Sequence, residues 1–236
     1  MRFRTAHLSR LFEGREWRKS CRGVQIFADQ IIDQHLMDKQ LNNGSNRGCS
    51  SLLQGVAEGC HDRATLRGQI INMLVAGRDT TACLLSWTFF LLVRHPQVME
   101  KLRSQVSEWE GVHDQISRSD LRGLRYLQNV LKETLRLYPP VPINCREASR
   151  TTILPTGGGP DRTSPILIVA GTLVNFNVYA LHRRPDLYGM DAEGFRPERW
   201  DEDLPLFQQK VTRNFGYLPF GAGPRTCLGS ESWTLP

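Results

Sequence analysis

With 236 residues, 40% of them hydrophobic and 23% charged, the chain is long enough for one domain with a sizeable core and too apolar for a disordered one. Its formal net charge is +6 and its pI about 9.2; the basic residues are scattered, which excludes a nucleic-acid footprint and leaves a bias toward acidic partners. The six cysteines, Cys21, Cys49, Cys60, Cys83, Cys145 and Cys227, include no C-x-x-C pair and follow no secretory signal, which argues against a zinc site or a disulfide framework and for reduced thiols facing a cytosol.

In chain order, Arg2, Arg4 and Arg10 precede the first acid, Glu13, a faint and short transit-peptide pattern. Residues 15–36 read as a helix with Val24, Phe27, Ala28, Ile31 and Ile32 on one face. Residues 41–50 read as a polar loop. Leu66 to Val93 reads as one long apolar-rich helix, spanning on the order of 40 Å. Its most apolar part, Ala82 to Val93, is too short to cross a bilayer, which needs about 20 residues, so no transmembrane segment is expected. His95-Pro96 restarts the chain, since proline suits a helical first turn, and Val98, Leu102, Val106 and Trp109 form the next stripe. Ser119-Asp120 opens a helix on which Leu124, Leu127, Leu131 and Leu135 repeat, until Pro139 and Pro140 stop it.

The character then changes. Residues 151–165, with Gly157-Gly158-Gly159-Pro160, read as loop. Residues 166–179 read as strand, because Val174, Phe176 and Val178 alternate with Leu173, Asn175, Asn177 and Tyr179. Residues 182–226 are rich in proline, glycine and charge and lack a period, so something else must organise them.

The chemistry concentrates at 220–229, FGAGPRTCLG. Iron in haem needs a fifth ligand, which a thiolate at Cys227 can supply; the alternative is a buried structural cysteine in a glycine-rich turn. Glycines there let the chain lie close to a flat macrocycle. If Cys227 opens a helix, its dipole and free N–H groups favour the anion. Arg225 is placed to meet a haem propionate. In the long helix, Gly77 leaves one wall without a side chain, and Asp79 and Thr80 put an acid and a hydroxyl beside that space, a proton relay. A helical threonine also bonds back to the carbonyl four residues earlier, here Ala76, and both roles are compatible. Glu133 and Arg136 are three apart and share a helix face next to the leucine stripe. A buried pair needs further partners, and Arg199 is the candidate.

The loop F-x-x-G-x-R-x-C-x-G, from Phe220 through Gly223, Arg225 and Cys227 to Gly229, resembles that of the cytochrome P-450 family at every position. AGRDT at 76–80 resembles that family's A-G-x-D/E-T, ETLR at 133–136 its E-x-x-R, and FRPERW at 195–200 its F-x-P-x-R-W/F. All four stand in the family's order. The resemblance implies a mainly α fold with a small β component, a Glu133–Arg136–Arg199 triad that locks residues 182–226 beneath the haem, and Arg146 as a second propionate partner. It implies Val141, Pro142 and Ile143 lining the distal cavity, and His182, in A-x-H-x-x-P, as a structural residue. The runs at 78–90, 154–166 and 178–189 resemble the fungal alkane and fatty-acid hydroxylases.

That resemblance implies an oxidoreductase: a monooxygenase that uses haem b (iron protoporphyrin IX) and O2 on a hydrophobic small molecule. Electrons would pass from NADPH through a flavoprotein reductase, at the cytosolic face of the endoplasmic reticulum. Family members are roughly twice this length, and only nine residues follow Cys227. The chain is therefore read as a partial domain over 1–236, incomplete at both ends. Within it, 1–65 precede the central helix, 66–138 form the helical core, 139–229 carry the β segment, meander and cysteine loop, and 230–236 are an atypical tail. Membrane attachment would reside in segments outside this chain. The alternative is a non-catalytic remnant with weak or no haem binding.

Overall fold

The computed structural model describes residues 14–41, 55–56, 59, 62–110, 118–210 and 215–230. Of the loop expected at 41–50, Leu41 instead closes a helix and 42–50 lie outside the described residues, as do the arginines ahead of Glu13 and all of the 230–236 tail except Ser230. The chain divides after Asp79 into two compact units.

The first unit holds α1 (Arg15–Leu41) and the opening turns of α2 (Arg63–Arg94). Helix α1 starts where its periodicity predicts. Of the five residues expected on its apolar face, Ala28 and Ile32 are buried and Ile31 is half-buried, whereas Val24 and Phe27 are exposed. The seam is narrow because Ala28 and Ile32 cluster with Leu66 and Ile70, pairs spaced by one turn on each helix. Arg63 and Arg67 reach Asp29 and Asp33 beside it. Helix α2 begins three residues before Leu66 because Asp62 caps it. The Asp62 carboxylate accepts the Thr65 N–H at 2.8 Å and the Ala64 N–H at 3.3 Å, and these bonds, led by that from the Thr65 hydroxyl, lower its pKa.

The second unit takes the rest of α2, then α3 (Pro96–Glu110), α4 (Arg118–Gly123) and α5 (Arg125–Leu137). The single helix expected from Ser119 is broken at Leu124, whose ψ of 77° is not helical and which follows Gly123. The leucine stripe survives the break: Leu124 and Leu135 are buried, Leu127 and Leu131 half-buried. One core joins Leu91 and Leu92 of α2, Val98 and Leu102 of α3, and Tyr126, Val130 and Leu137 of α5. Trp87 stacks on Tyr138 with ring centres 3.9 Å apart, so the end of α5 is held against α2 by aromatic faces.

Two small antiparallel sheets follow. In the first, β1 (Ile143–Glu147) pairs with β4 (Leu173–Asn177), setting Asn144 opposite Phe176 and Arg146 opposite Val174. The alternation of β4 is as expected: Val174 and Phe176 are half-buried and Leu173, Asn175 and Asn177 exposed. In the second, β2 (Thr152–Gly158) pairs with β3 (Ser164–Ile168). This corrects the reading of 151–165 as loop. The glycines make the hairpin's irregular turn: Gly157 and Gly159 have φ of 112° and 75°, and the Gly157 N–H donates to the Arg162 carbonyl. The strand expected over 166–179 is correspondingly interrupted at 169–172, and Val178 enters a helix.

From there the chain is short pieces: α6 (Val178–Leu181), α7 (Pro185–Tyr188), 3₁₀ turns at Pro197–Asp201 and Gly223–Arg225, and α8 (Pro205–Gln208). Their second core is Leu187, Tyr188, Ala192, Leu204 and Leu206, flanked by Trp200 and Tyr217.

Candidate active site

Glu133 is the centre of the polar framework. It lies on α5, fully buried, as are Arg136 and Arg199. One carboxylate oxygen accepts Arg136 Nη2 at 2.8 Å, Arg199 Nε at 2.9 Å and the Arg196 N–H at 3.0 Å. The other accepts Arg136 Nε at 2.9 Å and Trp200 Nε1 at 3.1 Å. The remaining guanidinium protons go to backbone carbonyls and, from Arg199, also to the Asp191 carboxylate at 3.1 and 3.2 Å. Arg136 donates to the carbonyls of His182, Ala192 and Gly194, and Arg199 to those of Tyr188 and Asp191. Buried charges carry a large desolvation cost, which only such complete pairing offsets. Among the described residues no buried side-chain nitrogen or oxygen lacks a partner. The carbonyls so collected belong to residues 182–194, the stretch without a sequence period, and the arginines hold it in place. Asp191, on the rim, is raised by burial but lowered more by Arg199 and Arg196 together, and settles at about 2.

His182 is also fully buried. Its Nε2 lies 2.8 Å from the Leu218 N, which donates to it, and its Nδ1 lies 3.2 Å from the Arg136 carbonyl. Burial pushes its pKa down to about 4, helped by the nearby Arg136 and Arg183 charges and opposed by the backbone bonds. It packs and bonds, as expected of a structural histidine.

Past Leu218 the chain reaches the cysteine loop. Gly221 and Gly223 both adopt φ of 73°, the left-handed region that a side chain resists. These two turns fold the loop back, so that the Cys227 N–H donates to the Phe220 carbonyl at 2.9 Å. Gly223 also receives the Thr226 N–H and hydroxyl. Cys227 stands exposed, and its carbonyl accepts the Ser230 N–H at 3.0 Å, as in the opening of a helical turn. At Gly229 a Cβ would lie 3.6 Å from the Cys227 sulfur, an ordinary contact.

The loop forms one wall of a partly open cleft of about 180 Å³. Phe220, Gly221, Arg225 and Cys227 line that wall, with Leu218 and Pro219 beside them. Thr80, Thr81 and Leu84 of α2 line another. Leu135, Pro140, Val141, Asn144, Phe176 and Val178 complete it. Thr80 is thus in one cleft with Cys227 and Arg225. Gly223 and Gly229 shape the loop without lining the cleft. Of the residues expected on the distal side, Val141 is in place. Pro142 and Ile143 are not, and Pro140 and Asn144 take their positions. The reason is the strand β1: its alternation turns Asn144 inward and leaves Ile143 exposed.

Asp79 is exposed, and its carboxylate accepts Arg78 Nε at 2.8 Å. At Gly77 a Cβ would meet nothing within 4 Å. Arg146 is exposed on β1 and is not part of the lining. It donates to Asn144 Oδ1 at 3.1 Å and lies over the Phe176 ring at 5.5 Å, two residues that are. The sequence reading missed Gly221, Asn144, Phe176 and Leu218. The first glycine of F-G-x-G, Gly221, is a visible sign of a tight turn, and the β4 alternation marked Phe176 as inward; nothing local marks Asn144 or Leu218.

The Cytochrome P-450 family model matches residues 7–231. The chain is 42% identical, over 98% of its length, to a cytochrome P-450 of Arthroderma benhamiae, of which the match covers 46%. It is 41% identical over 98% of its length to cytochrome P-450 monooxygenase alt2 of Alternaria solani, covering 42% of that protein. Against cytochrome P-450 52A1 of Candida tropicalis the identity is 42% over 98% of this chain and 42% of the relative. The chain therefore spans less than half the length of these relatives.

Proposed function

The chain belongs to the cytochrome P-450 family, and from that premise we propose that it carries the haem-thiolate site of a monooxygenase that inserts one oxygen atom into a C–H bond of a hydrophobic substrate. The observation that carries the reading is the shared cleft: an exposed thiol at Cys227, a cation at Arg225 and a hydroxyl at Thr80 between apolar walls. That donor set fits a flat apolar macrocycle with an anionic rim and an iron needing a thiolate. The open space over Gly221, where a Cβ would meet nothing within 4 Å, leaves room for it.

Haem b, when bound, supplies the iron at which O2 is activated, with electrons from NADPH delivered by a flavoprotein reductase. The Cys227 sulfur is the protein's ligand to that iron. Arg225 pairs with a propionate by charge-assisted hydrogen bonds. Arg146, beside Asn144 and Phe176, is the second propionate partner. The Thr80 hydroxyl, able to donate and accept, passes a proton into the cleft, and Asp79 supplies it. Leu84 and Val141, on the walls away from Cys227, keep water from the reacting face. The substrate class is a long-chain alkane or fatty acid, in keeping with the apolar lining and the resemblance of residues 78–90, 154–166 and 178–189. The site of action is the cytosolic face of the endoplasmic reticulum; among the described residues no helix is long and apolar enough to cross a membrane.

The test is spectroscopic. The chain is expressed with haem supply, reduced and exposed to carbon monoxide. A strongly red-shifted Soret band is the expected result, and Cys227→Ala abolishes it. Absence of bound haem leaves the second reading, a family member that keeps the framework without the cofactor. A red-shifted band that survives Cys227→Ala assigns the ligand elsewhere.

A further inference from the structure

Two backbone groups that no secondary structure pairs meet at one side chain. The Arg136 carbonyl lies in the last turn of α5, where helical partners run out. The Leu218 N–H lies at the entry to the cysteine loop. His182 stands between them, with Nδ1 3.2 Å from the carbonyl and Nε2 2.8 Å from the amide nitrogen. A backbone N–H only donates, so Nε2 is the acceptor; Nδ1 therefore carries the hydrogen and donates to Arg136. Only the neutral ring with that one tautomer satisfies both groups.

We propose that His182 is a positioning residue for the cysteine loop, fixing the loop's entry at Leu218 to the buried Glu133–Arg136–Arg199 framework. The bonded path is continuous. Arg136 is locked by Glu133 through its side chain and holds His182 through its carbonyl. His182 holds Leu218, whose own carbonyl accepts the Gly221 N–H at 3.2 Å. Two residues past Leu218, the Phe220 carbonyl accepts the Cys227 N–H at 2.9 Å. Leu218, Phe220 and Cys227 line the same cleft, so a shift at Leu218 moves the wall that carries the sulfur. The ring itself is fixed, packed against Tyr217 with centres 5.1 Å apart and edge-on to Tyr188 at 6.4 Å. The consequence for iron ligation rests on Cys227 being the ligand; the bridge itself does not.

Three variants separate the two bonds from the bulk of the ring. His182→Gln places an acceptor where Nε2 stands, His182→Asn places a donor where Nδ1 stands, and His182→Phe keeps the volume with neither. Amide hydrogen exchange on the haem-free chain is the first readout. The Leu218 and Cys227 amides are expected to lose about tenfold in protection in His182→Asn and His182→Phe, the scale of one buried hydrogen bond, and to keep it in His182→Gln. The Leu102 and Val130 amides of the helical core are expected to stay unchanged. The second readout, on haem-loaded protein, is the Soret band of the reduced carbon monoxide form: the red-shifted, thiolate-ligated fraction falls in His182→Asn and is retained in His182→Gln. Equal protection in the Asn and Gln variants overturns the proposal, as does a uniform loss across the whole core. If His182→Phe does not fold, the Asn–Gln comparison decides. If no variant or parent takes up haem, the iron-ligand reading fails while the exchange result still decides the bridge.

Discussion

Glu133 is one carboxylate between two buried guanidinium groups, and its two oxygens accept five hydrogen bonds. Neutralising it leaves buried Arg136 without a counter-charge and Arg199 with only the rim carboxylate of Asp191. Glu133→Gln is expected to cost about 3–5 kcal/mol, a large share of a typical domain's stability, measured as a fall in the urea midpoint. A variant as stable as the parent would show the carboxylate to be dispensable. Arg136→Lys is no substitute, since a single ammonium cannot serve Glu133 and three carbonyls at once. Arg225 is the contrasting residue. It is exposed and outside this framework, so Arg225→Ala is expected to leave the urea midpoint unchanged while lowering the haem retained per chain, read as Soret absorbance on a fixed protein amount. Equal haem content in the variant would remove Arg225 from the propionate role.

Among the elements, the cysteine loop depends on two residues that must be glycine and one that need not be. Gly221 and Gly223 have φ of 73°, where a side chain costs about 1–2 kcal/mol. Gly229 has no such φ, and a Cβ there would sit 3.6 Å from the Cys227 sulfur. Gly223→Ala is therefore expected to lower the denaturant midpoint and the haem content together, while Gly229→Ala changes neither appreciably; equal effects would mean that the turn does not set the loop's shape. The helices were legible because burial on one side writes a 3.6-residue period: Ala28 and Ile32, Val98 and Leu102, Leu124 through Leu135 all fall on faces read from the sequence. The break at Leu124 was not, since the stripe continues across it. The hairpin at 152–168 was hidden by its composition: strands with exposed faces and three glycines read as loop, and only the pairing of Leu154 with Ile166 reveals them. Residues 182–226 carry no period because their order comes from side chains elsewhere, Arg136 above all. Of the cleft, the motif residues Thr80, Phe220, Arg225 and Cys227 were visible in advance. Asn144 and Leu218 reach it only through a strand register and a histidine bond, which depend on residues far away in the chain.

For the molecule as a whole, the second unit has two apolar cores joined by a polar framework, and the framework makes its stability depend on pH. His182 titrates at about 6.5 when unfolded and about 4 when folded. Its folded pKa is depressed, so the stabilisation is complete above pH 6.5 and is lost as pH falls toward 4, because the unfolded chain takes up a proton that the native site refuses. The loss across that window is on the order of 3 kcal/mol. Protonation would turn Nε2 into a second donor aimed at the Leu218 N–H, with Arg136 and Arg183 adding like charge. Asp191, also depressed, acts in a separate, lower window: its contribution is present above its ordinary 3.8 and is lost as pH falls toward about 2. Urea midpoints taken from pH 7 to pH 4 are therefore expected to fall steeply for the parent and more gently for His182→Gln, which has nothing to titrate at that position. The two curves should converge near pH 4. Parallel curves over the whole range would place the acid sensitivity elsewhere and leave the buried imidazole without influence on how the fold answers to protons.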